Sequence, residues 1–212
     1  NDGIVSTASL IVGVAASAAG QAEIMTAGIA GLVAGAMSMA AGEYVSVSSQ
    51  ADTEKADTAR ERKELIEQPE FELNELAAIY EQRGVAPDLA REVARQMMAK
   101  DALGAHSRDE LGITEATEAQ PITAALTSAL TFAIGAAMPL LAAILTPFLA
   151  PQANASVIVA VASLIFLMIL GAVGAQAGGA GVWRGTLRVT FWGALAMAIT
   201  YGIGSLFGTT IA

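Results

Sequence analysis

The chain has 212 residues, of which 54% are hydrophobic and 15% charged, with a formal net charge of −9 and a mean hydropathy of +0.56. Soluble domains carry about 25% charged residues, so this composition points to a membrane, and the acidic balance excludes the basic face that nucleic-acid binding requires. The lack of cysteine removes disulfides and thiolate metal sites, with them the usual soft ligands for zinc and copper(I).

The sequence opens at Asn1 without an initiator Met. The natural chain is expected to begin upstream, and a signal peptide is neither found nor excluded. Ile4–Ala19 is apolar and rich in small residues, Gly20, Gln21 and Glu23 mark a turn, and Ile24–Val47 is a second apolar run. A buried soluble hairpin is the alternative for these two runs, but the later helices demand a membrane in any case.

A charged block follows. Residues 52–118 hold 17 of the 20 Asp and Glu and 9 of the 11 Lys and Arg, hence −8 of the net −9. The block reads as helices: one over about 48–67 continuing the second apolar run, one from about 70 to Gln82 after the interruption at Pro69, and one from Ala86-Pro87-Asp88 to about Ala102. Gly104 separates a short fourth segment, with Ser107 placed as N-cap three residues before Glu110 in a capping-box spacing. Leu65, Ile66, Leu73, Leu76, Ile79, Tyr80, Leu89, Val93 and Met97 recur near helical spacing as a candidate core.

Residues 119–183 contain no charge at all. Because a crossing takes about 20 apolar residues, this stretch suits two, near 121–147 and 154–177, broken by Pro147, Pro151, Gln152 and Asn154. Gly178, Gly179 and Gly181 end the second. Arg184 and Arg188 precede an uncharged run from Val189 to Ala212, the last helix. The reading is an all-α membrane protein with five transmembrane helices: 1–50 holds helices one and two, 51–119 an acidic helical domain, and 120–212 helices three to five. Arg184, Arg188 and the nine cations of the block fall on one side of this alternation, and the opposite loops carry none. The Lys/Arg bias therefore makes the block cytosolic and the C-terminus external.

Glu61 and Glu64 are three residues apart on one expected helix, as are Glu72 and Glu75 on the next, which puts each pair on one helix face. Four carboxylates converging around Pro69 suit hard or borderline divalent cations, and helical bundles bind iron and manganese this way. The same spacing suits a solvated acidic face, the commoner arrangement. His106, the single histidine, stands beside Asp109 and Glu110 and is a further candidate ligand, whereas Met97-Met98 suit core filling. In the membrane runs ionisable groups are functional candidates by default, which singles out Asp2 and Glu43, with Met37 and Met39 as soft neighbours. Small residues at Gly31/Gly35, Gly174/Gly178 and Gly204/Gly208 allow close helix contacts, and Gly13-x-x-x-Ser17 suits a symmetry mate. No phosphate loop, Ser/His/Asp set or His-Glu-x-x-His occurs, so neither a hydrolase nor an ATP-driven pump is expected.

Asn1-Asp2-Gly3-Ile4-Val5-Ser6, Gly35-Ala36-Met37-Ser38-Met39-Ala40-Ala41-Gly42-Glu43-Tyr44-Val45-Ser46-Val47 and Asp109-Glu110-Leu111-Gly112 together resemble the vacuolar iron transporter family, including its bacterial members. The resemblance covers essentially the whole chain. It implies a non-enzymatic homodimer of five-helix protomers that moves Fe(II), and also Mn(II), out of the cytosol in exchange for protons, in a bacterial inner membrane or a vacuolar-type membrane, with the transported ions and no other cofactor. It assigns Glu61, Glu64, Glu72, Glu75 and Glu110 to cytosolic metal binding, and Asp2 and Met39 to the membrane pathway. Two positions depart from the pattern. Gly31 stands where plant relatives have a Glu, with Glu43 as a partial substitute. His106-Ser107 aligns with a Met pair, with Met97-Met98 as the rival alignment. A membrane-anchored metal-sensing adaptor without transport is the competing function.

Overall fold

The computed structural model describes residues 1–114, 117–150 and 154–211, the last three by backbone only. Among the described residues seven helices follow one another: α1 (Asp2–Ala16), α2 (Gln21–Glu67), α3 (Pro69–Gln82), α4 (Pro87–Asp109), α5 (Pro121–Leu149), α6 (Ala155–Ala177) and α7 (Val182–Ile211). No strand occurs among the described residues. The α2, α5, α6 and α7 helices are long and apolar enough to cross a bilayer, and the protein is an integral, multi-pass membrane protein. The first expected crossing is α1, whose 15 residues span about 22 Å at 1.5 Å per residue, less than the roughly 30 Å of a hydrocarbon core.

The chain divides into two compact units, 1–43 with 125–212, and 44–124. In the first, α1 packs on α6 and α7. Ile4, Ala8, Ile11 and Val12 recur at helical spacing and are buried. Ala8, Ile11 and Val12 join Ile24, Leu140, Ala143, Val159 and Met197 in one cluster. Small residues set the helix spacing. A Cβ on Gly204 would overlap the carbonyl oxygen of Gly13, and one on Gly208 would meet the backbone of Ser17. Gly13-x-x-x-Ser17 is thus occupied by α7 of the same chain, not left for a symmetry mate. Gly174, by contrast, faces open space, so the Gly174/Gly178 spacing does not mark a helix contact.

In the second unit the breaks follow backbone chemistry. Gln68 leaves helical geometry (φ −137°, ψ 49°) because a residue before proline is pushed out of the α region, and Pro69 and Pro87 start α3 and α4. Leu76, Ala77, Ala94 and Ala105 form the core, with Leu73, Ile79, Tyr80, Met97 and Met98 packed against it. Ile66 and Leu89, expected in that core, are exposed.

Three expected boundaries move. The last break in the block lies at Asp101 (φ −163°, ψ 92°), inside α4, not at Gly104–Ser107. Asp101 Oδ1 accepts from the Gly104 N–H at 3.0 Å, so Asp101 is the capping residue and Ser107 lies within the helix. The α5 helix continues through Pro139 and Pro147 to Leu149. Asn154 caps α6 by accepting from Ser156 N–H at 2.9 Å, while the expected breakers Pro151 and Gln152 lie outside the described residues. The last helix starts at Val182, because Arg184 and Arg188 are tolerated in its first turns, where long cationic side chains reach water.

The Gly13–Gly204 approach yields a direct expectation. Gly204→Ala forces two backbones apart and should cost about 1–3 kcal/mol, the usual range for overpacking. Gly202→Ala, whose added methyl meets nothing within 4 Å, should be neutral or better. Thermal unfolding in mild detergent compares the two.

Candidate metal centre

Three helices of the 44–124 unit each bring a carboxylate to one point. Glu61 comes from α2, Glu72 from the first turn of α3, and His106 and Glu110 from the end of α4 and its C-cap. One ligand atom from each of the four lies within 4.8 Å of the others. Opposite ligands around a first-row divalent ion at roughly 2.1 Å lie about 4.2 Å apart, so a small inward movement closes the set on an ion. His106 Nδ1 stands 2.9 Å from Glu110 Oε2, 3.0 Å from Glu61 Oε1 and 3.8 Å from Glu72 Oε2. His106, Glu61 and Glu72 are buried and Glu110 borders solvent.

This arrangement leaves polar capacity unused. Nδ1 carries one proton or one lone pair, and its good hydrogen-bond geometry is with Glu110. Glu61 Oε1 and His106 Nε2 are then buried without a hydrogen-bond partner. Burial pushes the Glu61 carboxyl up to about 7, helped by Glu110, Glu72 and Glu64 and opposed by His106. Glu72 is raised by burial first and by Glu75 next. Three carboxylates that repel one another, with unpartnered buried oxygen, are relieved by a proton or by a cation. A divalent ion meets both needs with the oxygen-rich ligands that such ions prefer.

A clasp holds the end of α4. Arg83 donates to Asp109 Oδ1 at 2.7 Å and to the Asp109 carbonyl at 3.0 Å, and the Tyr80 hydroxyl donates to Asp109 Oδ2 at 3.1 Å. This fixes the turn that carries His106 and Glu110. Spacing alone did not reveal it, because Arg83 is 26 residues from its partner.

Four of the six expected domain ligands therefore converge. Glu64 and Glu75 are half-buried and act on Glu61 and Glu72 electrostatically, outside the group of four. Met97 and Met98 pack against the hydrophobic cluster. In the other unit, Asp2 and Met39 line one cavity of about 270 Å³ with Ser6, Thr7, Ser38 and Gly31 among its walls. Ser6 donates to Asp2 Oδ1 at 3.0 Å, a contact signalled only by its position four residues after Asp2. Glu43 is not among the residues lining this cavity. It lies three helical turns beyond Gly31, roughly 18 Å along the helix at 1.5 Å per residue.

Comparison with known proteins adds independent findings. The sequence profile of the VIT family matches residues 1–205. A protein of Acanthamoeba castellanii named vacuolar iron transporter is 49% identical over 98% of this chain and 78% of its own length. Vacuolar iron transporter homolog 1 of Oryza sativa subsp. japonica is 39% identical over 98% of this chain and 70% of its own. Vacuolar iron transporter homolog 2.1 of Arabidopsis thaliana is 35% identical over 99% and 78%.

The raised Glu61 sets a pH dependence. The folded chain keeps this proton up to about pH 7, whereas the unfolded chain releases it near 4.5. Across that window the folded state binds more protons, so metal-free stability falls as pH rises. Glu61→Gln should flatten the fall. Unfolding midpoints of the metal-free chain in detergent, parent against variant, measure it, and equal slopes in the two would remove Glu61 as the cause.

Proposed function

The chain belongs to the VIT family, and from that premise we propose that it carries Fe(II), with Mn(II) as a second cargo, out of the cytosol in exchange for protons. The observation that carries the proposal is the convergence of buried Glu61, Glu72 and His106 with solvent-bordering Glu110 in the acidic block of a multi-pass membrane protein. The reading includes five crossings, a cytosolic domain over 51–119 and an external C-terminus, on the grounds of the Lys/Arg bias. The chain's work is capture and release of an ion, with no bond chemistry.

In this scheme the carboxylates collect the ion on the cytosolic side and yield protons as it binds. Glu64 and Glu75 keep the local field negative and draw cations in. Asp2 is the transfer group. Its carboxylate holds either a proton or the cation, so occupancy by one excludes the other and couples their fluxes. Met39 beside it is neutral and does not titrate. Its thioether favours Fe(II) over harder ions such as Mg(II) and Ca(II). Ser6 holds one oxygen of Asp2 and leaves the other for the cargo.

The homodimer is part of the proposal. Its support on α2 is the row Ile29, Val33 and Met37, all more than half exposed and four residues apart on one helix face. A second copy of the chain is the expected partner there, and mass photometry in mild detergent should give the dimer mass.

Proteoliposomes test the transport itself. Fe(II) flux should depend on a pH gradient. Asp2→Asn should abolish it while leaving intact the part of metal binding in detergent that depends on Glu61 and Glu72. Met39→Leu, which conserves volume, should lower the Fe(II) rate without loss of folding. Normal flux in Asp2→Asn would remove the pathway assignment. An inactive parent that still binds metal would favour the sensing adaptor. Cysteines introduced at Ala18 and Ala90 into this cysteine-free chain should label from opposite sides.

A further inference from the structure

Outside the acidic block the chain has two cations, Arg184 and Arg188. Both line one cavity of about 710 Å³ between the end of α6 and the start of α7. They are four residues apart on α7, hence on one helix face with Cβ atoms about 6 Å apart. Among the described residues neither forms a salt bridge with any Asp or Glu. Both are exposed, so in a chain of net charge −9 they form a small cationic patch whose donors no carboxylate of the chain takes up.

The rest of the cavity indicates what takes them up. Leu170, Val173, Gly174 and Val189 line it beside the arginines. Leu170 and Val173 are exposed, as are Val182, Leu187 and Trp183 on the adjoining surface, Trp183 at 72%. An exposed tryptophan at the end of an apolar helix is the usual mark of the headgroup level of a bilayer. Gly174 and Gly181 leave the rim without side-chain bulk, and an added Cβ at either would meet nothing within 4 Å. The cavity thus has a cationic rim at headgroup depth and an apolar wall running into the helices. A free inorganic anion would use the rim and leave the wall bare, whereas an anionic phospholipid matches both parts.

We propose that Arg184 and Arg188 hold the phosphate of an anionic phospholipid whose acyl chain lies along the Leu170–Val173 wall. Guanidinium groups suit this role because their forked donors pair with phosphate oxygens, and basic pockets between membrane helices are suited to anionic headgroups. Asn1 also lines this cavity, but the cavity shares no lining residue with the Asp2–Met39 cavity and none with the metal-binding group, and the proposal does not rest on the transport reading.

Native mass spectrometry of the full chain, released from detergent micelles doped with defined lipid, tests the assignment. Two basic residues near the surface, each contributing roughly a fivefold factor, predict about thirtyfold preference for dioleoylphosphatidylglycerol over dioleoylphosphatidylcholine. Arg184→Gln with Arg188→Gln should bring that ratio close to one, and Arg184→Lys with Arg188→Lys should keep most of it. Equal retention of the two lipids by the parent would overturn the proposal, as would an undiminished preference in the Gln pair. Displacement of the lipid by millimolar inorganic phosphate would mark a free-anion site and overturn it too. Should the Gln pair fail to purify folded, the parent ratio and the Lys pair still decide.

Discussion

Repulsion among buried carboxylates is the constraint around which the acidic unit is organised. Glu61, Glu72 and Glu110 reach the same imidazole nitrogen from three directions, and Glu61 and Glu72 are almost wholly removed from water. Groups of like charge in such a place are stable only if some are protonated or a cation joins them. The surrounding structure serves to keep them there. Leu76, Ala77, Ala94 and Ala105 seal one side, the Arg83–Asp109 clasp fixes the end of α4, and the Arg91–Glu70 pair at 3.3 Å links the outer faces of α3 and α4. That pair is exposed and contributes little alone. The hydrophobic seal is what makes the repulsion strong, because it excludes the water that would screen it.

His106 gives the group a second property. Its Nε2 is buried and has no hydrogen-bond partner. A proton placed there would lose its hydrogen bond, whereas a proton on Nδ1 is shared with carboxylate oxygen. Nδ1 is the ring nitrogen in the centre of the group. On the proposed reading an ion entering there would compete with the protons the group holds, so that metal binding and proton release would be linked.

The membrane class and the position of the acidic block were legible because charge is so unevenly distributed: 65 residues without a charge admit few alternatives. The carboxylate spacing on α2 and α3 likewise pointed to Glu61 and Glu72. It did not distinguish them from Glu64 and Glu75, since a helix face is wider than one residue and only packing against α4 decides which pair turns inward. The break at Asp101 was missed because glycine is the stronger punctuation signal, yet here Gly104 is simply the donor that Asp101 caps. Gly13-x-x-x-Ser17 showed that close contact would occur and not with what. Small-residue spacing is the same for a partner helix within the chain and in another copy.

The cavity around Asp2 raises a different balance. Gly31 lines it where the resemblance led to expectation of a glutamate, so a single carboxylate faces Met39 and three hydroxyl side chains. On the proposed reading a divalent ion there would retain an excess positive charge in surroundings where charge is expensive. On that same reading such a site would bind its ion less tightly than one with two carboxylates, and weaker binding would favour passage over retention, since an ion must leave as readily as it enters. The acidic unit, with three carboxylates on one imidazole, has the opposite character and suits capture. On the proposed transport reading, strong capture at one site and brief residence at the other would be the order of affinities that directed movement of a scarce ion requires.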